Sequence, residues 1–124
     1  MTKMENWDVI VQDDVKNWLA TLDLDDANKI YSTIGMLMEH GHRLGRPYVD
    51  TLRQSKYPNM KELRIQSKLS VFRLFFIFDP LRRAIILCGG DKKGKNEKLF
   101  YTTMIAKAEQ LYELYLSNLQ LENK

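Results

Sequence analysis

The first third of the chain changes from strand-like alternation to a helical spacing of its apolar residues. Residues 6–12 alternate between apolar and polar side chains and predict a short β-strand. Apolar residues then recur every three or four positions over residues 15–22 and again over 26–42, which predicts two helices. Asp13 or Asp14 would cap the first helix, because a short acceptor side chain satisfies its free backbone N–H groups. The pattern therefore predicts a strand followed by a helical hairpin with an acidic outer side.

The middle of the chain contains short apolar runs that predict a β-sheet. Strands are predicted at residues 61–66, 69–78 and 84–88. A loop over residues 45–59 precedes them, Ser67 and Lys68 form a two-residue turn, and a proline-containing turn spans residues 79–83. A final helix is predicted over residues 103–119. The expected fold class is α+β, with the N-terminal strand and two-helix hairpin packed on a small antiparallel sheet with a mixed edge, and a C-terminal helix.

Two arginines fall on one face of the predicted sheet. With a two-residue turn, Gln66 pairs with Leu69, so Arg64 and Arg73 become diagonal neighbours on the same face. The opposite face is apolar nearly end to end and would pack on the helical hairpin; it comprises Leu63, Ile65, Phe72, Leu74, Phe76, Phe78, Ala84, Ile86 and Cys88. The C-terminal helix would cover the apolar end of the arginine face, so the polar end would stay open as a basic site.

Basic residues are concentrated in the middle of the sequence. Residues 43–98 carry fourteen Lys and Arg against five Asp and Glu, whereas residues 1–42 carry three against eight. A charge among strand apolars is costly unless an opposite charge is near, and phosphate is a partner that guanidinium binds bidentately. These features favour a nucleic-acid backbone as the ligand. The alternatives are that the lysines only solvate loops and that Arg64 and Arg73 only form structural ion pairs with Glu62.

Cysteine content and hydropathy bear on the cellular compartment. The single cysteine, Cys88, excludes an internal disulfide and favours a reducing compartment. No apolar run reaches membrane-spanning length, and the acidic N-terminus lacks the basic region and long apolar core of a signal peptide. His40 and His42 have no cysteine or carboxylate at ligand spacing. We therefore expect a cytoplasmic protein that binds no membrane, metal or cofactor.

Three sequence motifs, in this order, resemble a known toxin family. The runs GRPYVDTL, MKELRIQ and VFRLFFIFDPLRRAIILCGGDKKG, with the predicted element order, are similar to the RelE/ParE superfamily of bacterial toxin–antitoxin systems, and most closely to its HigB-like, phage-related branch. The resemblance implies a RelE-like fold in a single domain over residues 1–124. It also implies a metal-independent, ribosome-dependent mRNA endonuclease that inhibits translation. In such enzymes the ribose 2′-hydroxyl attacks the neighbouring phosphate, and basic residues stabilise the charge on its oxygens.

The resemblance also implies roles for individual residues. Arg64 and Arg73 match the arginines of the K-E-L-R and F/Y-R motifs and would clamp the phosphate. Lys61 and Lys92 match the motif lysines and would contact RNA or assist proton transfer. Tyr101 would stack on a base. Further RNA contacts are expected from Arg46, Lys56, Lys68, Lys93, Lys95 and Asp91, the last of which would orient a lysine or arginine. The motifs do not identify a general base.

The resemblance further implies partners, and two other functions compete with it. The expected partners are the ribosome, mRNA and a HigA-like helix-turn-helix antitoxin, through which the complex would bind operator DNA indirectly. The antitoxin would either cover the basic site or block ribosome entry from the helical side. One alternative is a ParE-like DNA gyrase inhibitor, which has the same fold and acts by binding without catalysis. The other is a plain RNA- or protein-binding module. An inhibitor need not keep paired arginines on the sheet face, which favours the endonuclease.

Overall fold

A computed structural model describes residues 6–122 and shows a five-stranded sheet with helices on both faces. The elements are β1 (Val9–Val11), α1 (Asp13–Leu19), α2 (Leu24–His40), a 3-10 helix (Gly41–Arg43), β2 (Val49–Thr51), β3 (Met60–Gln66), β4 (Val71–Phe78), β5 (Ala84–Asp91) and α3 (Glu97–Glu122). The strand order is β1-β5-β4-β3-β2. Strand β1 runs parallel to β5, and the other neighbouring strands are antiparallel. The predicted α+β class with a mixed edge is confirmed.

Helices α1 and α2 cover one face of the sheet, as the apolar pattern predicts. Val15 of α1 and Ile30 of α2 are fully buried against alternate residues of the central strands, among them Leu63 and Phe76. Burying a side chain of this size contributes about 1.5–3 kcal/mol to folding. This layer therefore holds β3, β4 and β5 in place from behind and leaves their other face for α3. None of the helices within residues 6–122 is both long and apolar enough to cross a bilayer.

The ends of the first two helices differ in their capping. The predicted cap of α1 is wrong: Gln12 holds the cap position without a side-chain hydrogen bond, and Asp13 and Asp14 lie in the first turn. Their carboxylates are favourable there because the helix N-terminus carries partial positive charge. Asp23 caps α2 by accepting the N–H of Asp26 at 2.9 Å. Short acceptor side chains thus stabilise both N-termini, but only Asp23 does so by a direct bond.

Glycine is required where α2 ends. Gly41 has a φ of 56°, in the left-handed region that side chains with a Cβ disfavour. The indole of Trp7 also packs against it so closely that a Cβ there would lie 2.0 Å from Nε1. The backbone N–H of Trp7 donates to the carbonyl of Met38 at 2.7 Å. The segment before β1 is therefore fastened to the C-terminus of α2 at this point.

Helix α3 covers the other face of the sheet and begins earlier than predicted. Its first residue is Glu97 rather than residue 103, because the Asn96 side chain accepts the N–H of Leu99 at 2.9 Å and serves as an N-cap. The buried side chains between α3 and the sheet are Met60, Phe75, Ile77, Ile85, Leu87, Cys88, Phe100, Ile105, Ala108 and Tyr112. The extra turns place the N-terminal part of α3 over the polar end of the sheet.

The connection between β3 and β4 is longer than predicted. Gln66 pairs with Val71 rather than with Leu69, so residues 67–70 form the connection. Arg64 and Arg73 are therefore directly opposite one another instead of diagonal neighbours. They still lie on the same face, because the register differs from the predicted one by two residues and side chains alternate with a period of two.

A β-bulge in β5 reverses the predicted orientation of Cys88. Phe76 pairs with Ile86 and Phe75 with Cys88, so Leu87 is an extra residue in β5. Cys88 consequently faces α3, where it is buried with Leu87, and not the helical hairpin as predicted. Burial raises the pKa of the Cys88 thiol to about 12. The prediction that this cysteine is buried is confirmed, but its face is wrong.

The segment predicted as a loop over residues 45–59 contains the edge strand β2, which pairs antiparallel with β3.

The predicted turn between β4 and β5 is confirmed. The Asp79 carboxylate accepts the N–H groups of Leu81 and Arg83 at 2.9 Å each and pairs with the Arg83 guanidinium at 2.7 Å. Burial alone would raise the pKa of Asp79, but these contacts with Arg83 hold it below its usual value.

Candidate functional site

A buried carboxylate lies between the two arginines of the sheet face. Glu62 of β3 has a side chain only 8% exposed, and Oε1 lies 3.4 Å from Nε of Arg73. Its other oxygen lies 3.9 Å from Nε of Arg64. Two guanidinium groups directly opposite on adjacent strands repel one another, and a shared carboxylate offsets this repulsion. The ion pairing of Arg73 with Glu62 is thus present in the structure.

Tyr101 of α3 closes this network from above. Its hydroxyl donates to Glu62 Oε1 at 2.6 Å and accepts from Arg73 Nε at 3.3 Å. Burial and the hydrogen bond to Glu62 raise the pKa of Tyr101 to about 12, although Arg73 opposes the shift. The ring meets Phe75 edge-on and carries the Lys92 ammonium 5.3 Å from its centroid. Tyr101 is therefore a structural link between α3 and the sheet in this state of the molecule.

The two arginines differ in how accessible they are. The Arg73 side chain is 6% exposed, and its Nη1 donates to the Phe72 carbonyl at 2.9 Å. The Arg64 side chain is 36% exposed and lines a groove of about 730 Å³ that runs along α3. The sequence predicts an open site for both guanidinium groups; that is wrong for Arg73, because the early start of α3 covers it. Only Arg64 of this pair faces the groove.

Lys92 and Lys98 supply further positive charge to the groove. Lys92 follows β5, and its ammonium lies 2.6 Å from Oε1 of Glu97, the first residue of α3. The hydrogen bond from Lys92 lowers the pKa of Glu97. Lys98 lines the same groove and is exposed, and Glu109 lines it further along α3. The groove thus combines three basic side chains, Arg64 included, with two carboxylates.

Lys61 is not part of this cluster. It lies one residue from Glu62 in the regular strand β3, so its side chain projects from the opposite face. There its ammonium donates to Oγ1 of Thr51 in β2 at 2.9 Å. Strand geometry alone predicts this side, whereas the motif match had grouped Lys61 with Arg64. Lys61 therefore lies on the same strand as Arg64, but its side chain is on the opposite face of the sheet from the groove.

Two other predicted RNA contacts are engaged in ion pairs. Arg46 binds Asp50 at 2.9 Å and lines a small cavity beside Glu62. The hydrogen bond from Arg46 lowers the pKa of Asp50. Lys56 binds Glu113 of α3 at 2.7 Å, beyond the residues that line the groove. Lys56 therefore helps to fasten the β2–β3 loop to α3.

The remaining predicted contacts lie in two loops. Lys68 is exposed in the β3–β4 connection and Lys93 in the loop after β5. Lys95 lies 5.8 Å from the Phe100 ring centroid and lines a separate cavity on the far side of α3. Asp91 accepts the N–H groups of Val71 and Lys93 at 2.9 and 3.0 Å. Burial would raise the pKa of Asp91, but these backbone donors hold it below its usual value. Asp91 thus orients the chain rather than a cationic side chain.

Sequence reasoning missed the roles of Lys98 and Glu97, and it gave Glu62 only an ion-pairing role. The signal for Lys98 was the basic run that ends at residue 98, and for Glu97 the cap at Asn96, which begins α3. Within residues 6–122 there is no group of three or more His, Cys, Asp or Glu side chains arranged to hold a metal ion.

Comparisons with known proteins identify the family. Residues 17–113 match the family described as phage-derived Gp49-like proteins. The chain is 40% identical over 110 residues to a protein of Mycobacterium tuberculosis named as the candidate toxin HigB3, covering 89% of this chain and 94% of that protein. The chain belongs to the Gp49-like family. It is a HigB-like toxin, as the motifs predict.

A second relative and a solved structure agree with this assignment. The candidate toxin HigB2 of the same organism is 37% identical over 107 residues, which are 86% of this chain and 53% of that protein, so the chain spans about half of it. The fold is similar to that of an Escherichia coli RelE toxin mutant with two arginine-to-alanine changes, in the free state. The TM-score is 0.56 at 11% identity, covering 78% of this chain and 92% of that chain. The likeness to this RelE structure concerns the fold alone, and it confirms that the fold of the chain is RelE-like.

Proposed function

We propose that this HigB-like toxin is a ribosome-dependent endonuclease that cuts mRNA and so inhibits translation. The observation that carries the proposal is Arg64, a half-exposed guanidinium that lines a groove of about 730 Å³ with Lys92 and Lys98. Cleavage by the neighbouring ribose hydroxyl builds negative charge on the phosphate oxygens, and fixed cationic donors stabilise such charge. Ribosome-dependent cleavage of mRNA is also the general activity of this family. Metal independence remains a prediction of the family resemblance.

Arg64 is assigned the direct contact with the scissile phosphate. Its guanidinium is held on one side only, by a 3.9 Å approach to Glu62, so donors remain for a ligand in the groove. Guanidinium binds phosphate bidentately, which fixes the position of the phosphate as well as its charge. Arg73 is assigned a positioning role, because its side chain is only 6% exposed and its Nε and Nη1 are directed to Glu62, Tyr101 and a backbone carbonyl.

Lys92 is assigned a contact that forms only when RNA displaces Glu97. The ammonium and the carboxylate are 2.6 Å apart, and the Glu97 side chain is 69% exposed. The Lys92 side chain is 17% exposed, so the pair is only partly open to solvent, and a phosphate that displaces the carboxylate would restore the charge contact with the ammonium. Lys98, on the first turn of α3, would approach the backbone of the same RNA strand.

Partners follow from this function. The toxin would act in the cytoplasm on messages held by the ribosome, and a helix-turn-helix antitoxin would keep it silent and bind operator DNA for the complex. The acidic surface of α1 and α2 lies on the opposite face of the sheet from Arg64. An antitoxin bound there would leave the groove open and act by blocking ribosome entry.

The test is to induce the protein in bacterial cells and to map the 5′ ends of messages. Wild-type protein should produce cuts inside translated codons, and Arg64→Ala should reduce cutting about 100-fold or more, as loss of a charge-stabilising donor does. Arg43→Ala is the matched control, because Arg43 is exposed on the 3-10 helix and away from the groove. It should cut as wild type does.

Two outcomes would contradict the proposal. An intact transcriptome with wild-type protein would exclude the nuclease, and DNA damage in the same cells would then favour gyrase inhibition. Equal cutting by wild type and Arg64→Ala would remove the assigned role of Arg64. Circular dichroism of each variant establishes that the loss is not a loss of folding.

A further inference from the structure

One stretch of sheet edge has no neighbouring strand in the described part of the chain. Strand β1 pairs with β5 only from Ala84 to Ile86, and Gln12 then begins the approach to α1. The rest of β5, up to Asp91, has β4 on one side and no strand within residues 6–122 on the other. Proteins normally cover or blunt such edges, because their free N–H and C=O groups can pair with another chain.

The register shows which backbone groups of this edge point outward. The N–H of Lys92 donates to the carbonyl of Val71 in β4, so Lys92 and, two residues earlier, Gly90 direct their backbone groups toward β4. Backbone groups alternate along an antiparallel strand, so those of Gly89 and Asp91 point away from β4. Two outward residues spaced by two present the hydrogen-bonding pattern that an added strand requires.

A groove of about 580 Å³ lies along this edge. Its lining combines Trp18 of α1 with Phe100, Met104 and Leu99 of α3, and its floor includes the glycine backbone of β5. Trp18 lies on one side of the strand and α3 on the other, so a cavity that touches both must lie at the edge between them. Leu99 is 65% exposed at the rim. The groove therefore offers apolar surface to both faces of an extended chain.

The two glycines allow this arrangement. A Cβ on Gly89 would lie 2.7 Å from the Trp18 ring, and a Cβ on Gly90 would lie 3.3 Å from the Phe100 ring. The indole and the phenyl ring thus contact the backbone of β5 itself from opposite sides. Because no side chain of these two residues shields the edge, its backbone groups are open to a partner.

Charge defines the partner further. Lys95 lines the groove and Lys93 lies in the same loop, while Asp91, which also lines the groove, directs Oδ1 to two backbone N–H groups. We propose that the edge of β5 at Gly89–Asp91 binds an extended segment of a partner protein by strand addition, with apolar side chains alternating toward Trp18 and α3 and carboxylates near Lys95. This site goes beyond the proposed nuclease, because it does not use the Arg64 groove.

The first test uses a synthetic probe, the capped peptide Glu-Glu-Val-Leu-Val-Leu-Val, which is apolar on both faces of an extended strand, with the full chain labelled for NMR. Binding should slow hydrogen exchange at the outward amides of Gly89 and Asp91 about tenfold or more, with little change at the amide of Gly90. A peptide with the same sequence but N-methylated at alternate residues cannot complete the ladder. It should bind about tenfold more weakly, as expected for lost backbone hydrogen bonds.

Matched variants separate the groove from general surface effects. Leu99→Ser removes apolar wall at the rim, and Leu114→Ser makes the same change at a leucine of α3 that is 58% exposed and does not line the groove. The first should weaken the peptide several-fold and the second should not. Lys95→Glu should weaken it as well, and the effect should shrink as salt is raised.

Two results would contradict the proposed strand addition at the edge of β5. Equal binding of the N-methylated and unmodified peptides would exclude strand addition. If hydrogen exchange at the Gly89 amide is slow in the absence of peptide and slows further as the protein concentration is raised, a second copy of the chain occupies the edge instead. The test is independent of the nuclease: Arg64→Ala should keep peptide binding, and Leu99→Ser should keep mRNA cutting if the nuclease proposal holds.

Discussion

Tyr101→Phe tests whether the hydroxyl of Tyr101 stabilises the buried ions beneath α3. The change removes one donor to Glu62, at 2.6 Å, and one acceptor for Arg73, at 3.3 Å, and leaves the ring packing intact. A hydrogen bond to a charged group contributes about 1.5–3 kcal/mol to stability. The side chain of Glu62 is only 8% exposed, so water cannot easily replace the lost donor. The free energy of unfolding should therefore fall by about 2 kcal/mol.

The raised pKa of Tyr101 sets the pH range and the size of the pH-dependent part of this stability. It rises to about 12 through burial and the bond to Glu62, from an ordinary value near 10. Two pKa units correspond to about 2.7 kcal/mol, and partial solvent screening reduces this to about 1–2 kcal/mol. Because the folded state holds the proton more tightly, the stabilisation is complete below about pH 10 and is lost as the pH rises toward about 12.

Urea unfolding followed by tryptophan fluorescence measures both effects. The difference in unfolding free energy between wild type and Tyr101→Phe should be about 2 kcal/mol at pH 7, or about 6 °C in midpoint temperature, and should shrink between about pH 10 and pH 12. Tyr31→Phe, an exposed tyrosine of α2, is the control and should change stability by less than about 0.5 kcal/mol. A difference for Tyr101→Phe that is equally small, or independent of pH up to about 12, would refute the assigned network.

Three further changes test other parts of the structure. Gly41→Ala should destabilise the protein by about 3 kcal/mol or more in urea unfolding, since it combines a positive φ with a clash against Trp7. Asp79→Asn should lower stability by about 2–3 kcal/mol at pH 7, and the loss should vanish as the pH falls through the depressed carboxyl pKa, because the wild type then loses its pairing with Arg83. Glu97→Gln should raise affinity for single-stranded RNA a few-fold in a filter-binding assay at low salt, because it frees a lysine of the groove.

The turn between β3 and β4 shows why the arginine face is predictable although the turn is not. The sequence of the connection, S-K-L-S, favours neither a two-residue nor a four-residue connection on composition alone. The structure uses four, with Ser67 Oγ accepting the N–H of Ser70 at 3.1 Å. A difference of two residues in register leaves every side chain on its predicted face. Arg64 and Arg73 therefore share a face by parity, while their direct opposition depends on the turn.

Errors of face arise where the period of two is broken. The bulge at Leu87 inserts one residue into β5 and moves Cys88 to the α3 side. No local residue type marks this position, because the apolar run AIILC reads equally well without a bulge. The strand β2 is a related case, since three residues are too few for alternation to be recognised.

The burial of Arg73 could not be predicted from strands alone, because it depends on where α3 begins. Starting the helix at Glu97 rather than six residues later brings Tyr101 over the sheet. Asn at the cap is a recognisable signal, but the preceding loop, rich in lysine and glycine, gave no apolar periodicity to support it. The basic site is therefore narrower than the sequence suggests, with Arg64 rather than both arginines open to the groove.

The arrangement of Arg64 is better explained by ligand binding than by stability. Placing like charges directly opposite across a sheet is unfavourable. Here the shared carboxylate of Glu62 lies 3.4 Å from Nε of Arg73 and 3.9 Å from Nε of Arg64, and the second distance is too long for a hydrogen bond. Nε and Nη1 of Arg73 thus contact protein atoms, whereas the Arg64 guanidinium has only its approach to Glu62. A neutral residue in place of Arg64 would relieve the repulsion without leaving a buried charge unpaired. The cation that the fold needs least is the one that faces the groove, which is the arrangement expected of a side chain that waits for an anionic ligand.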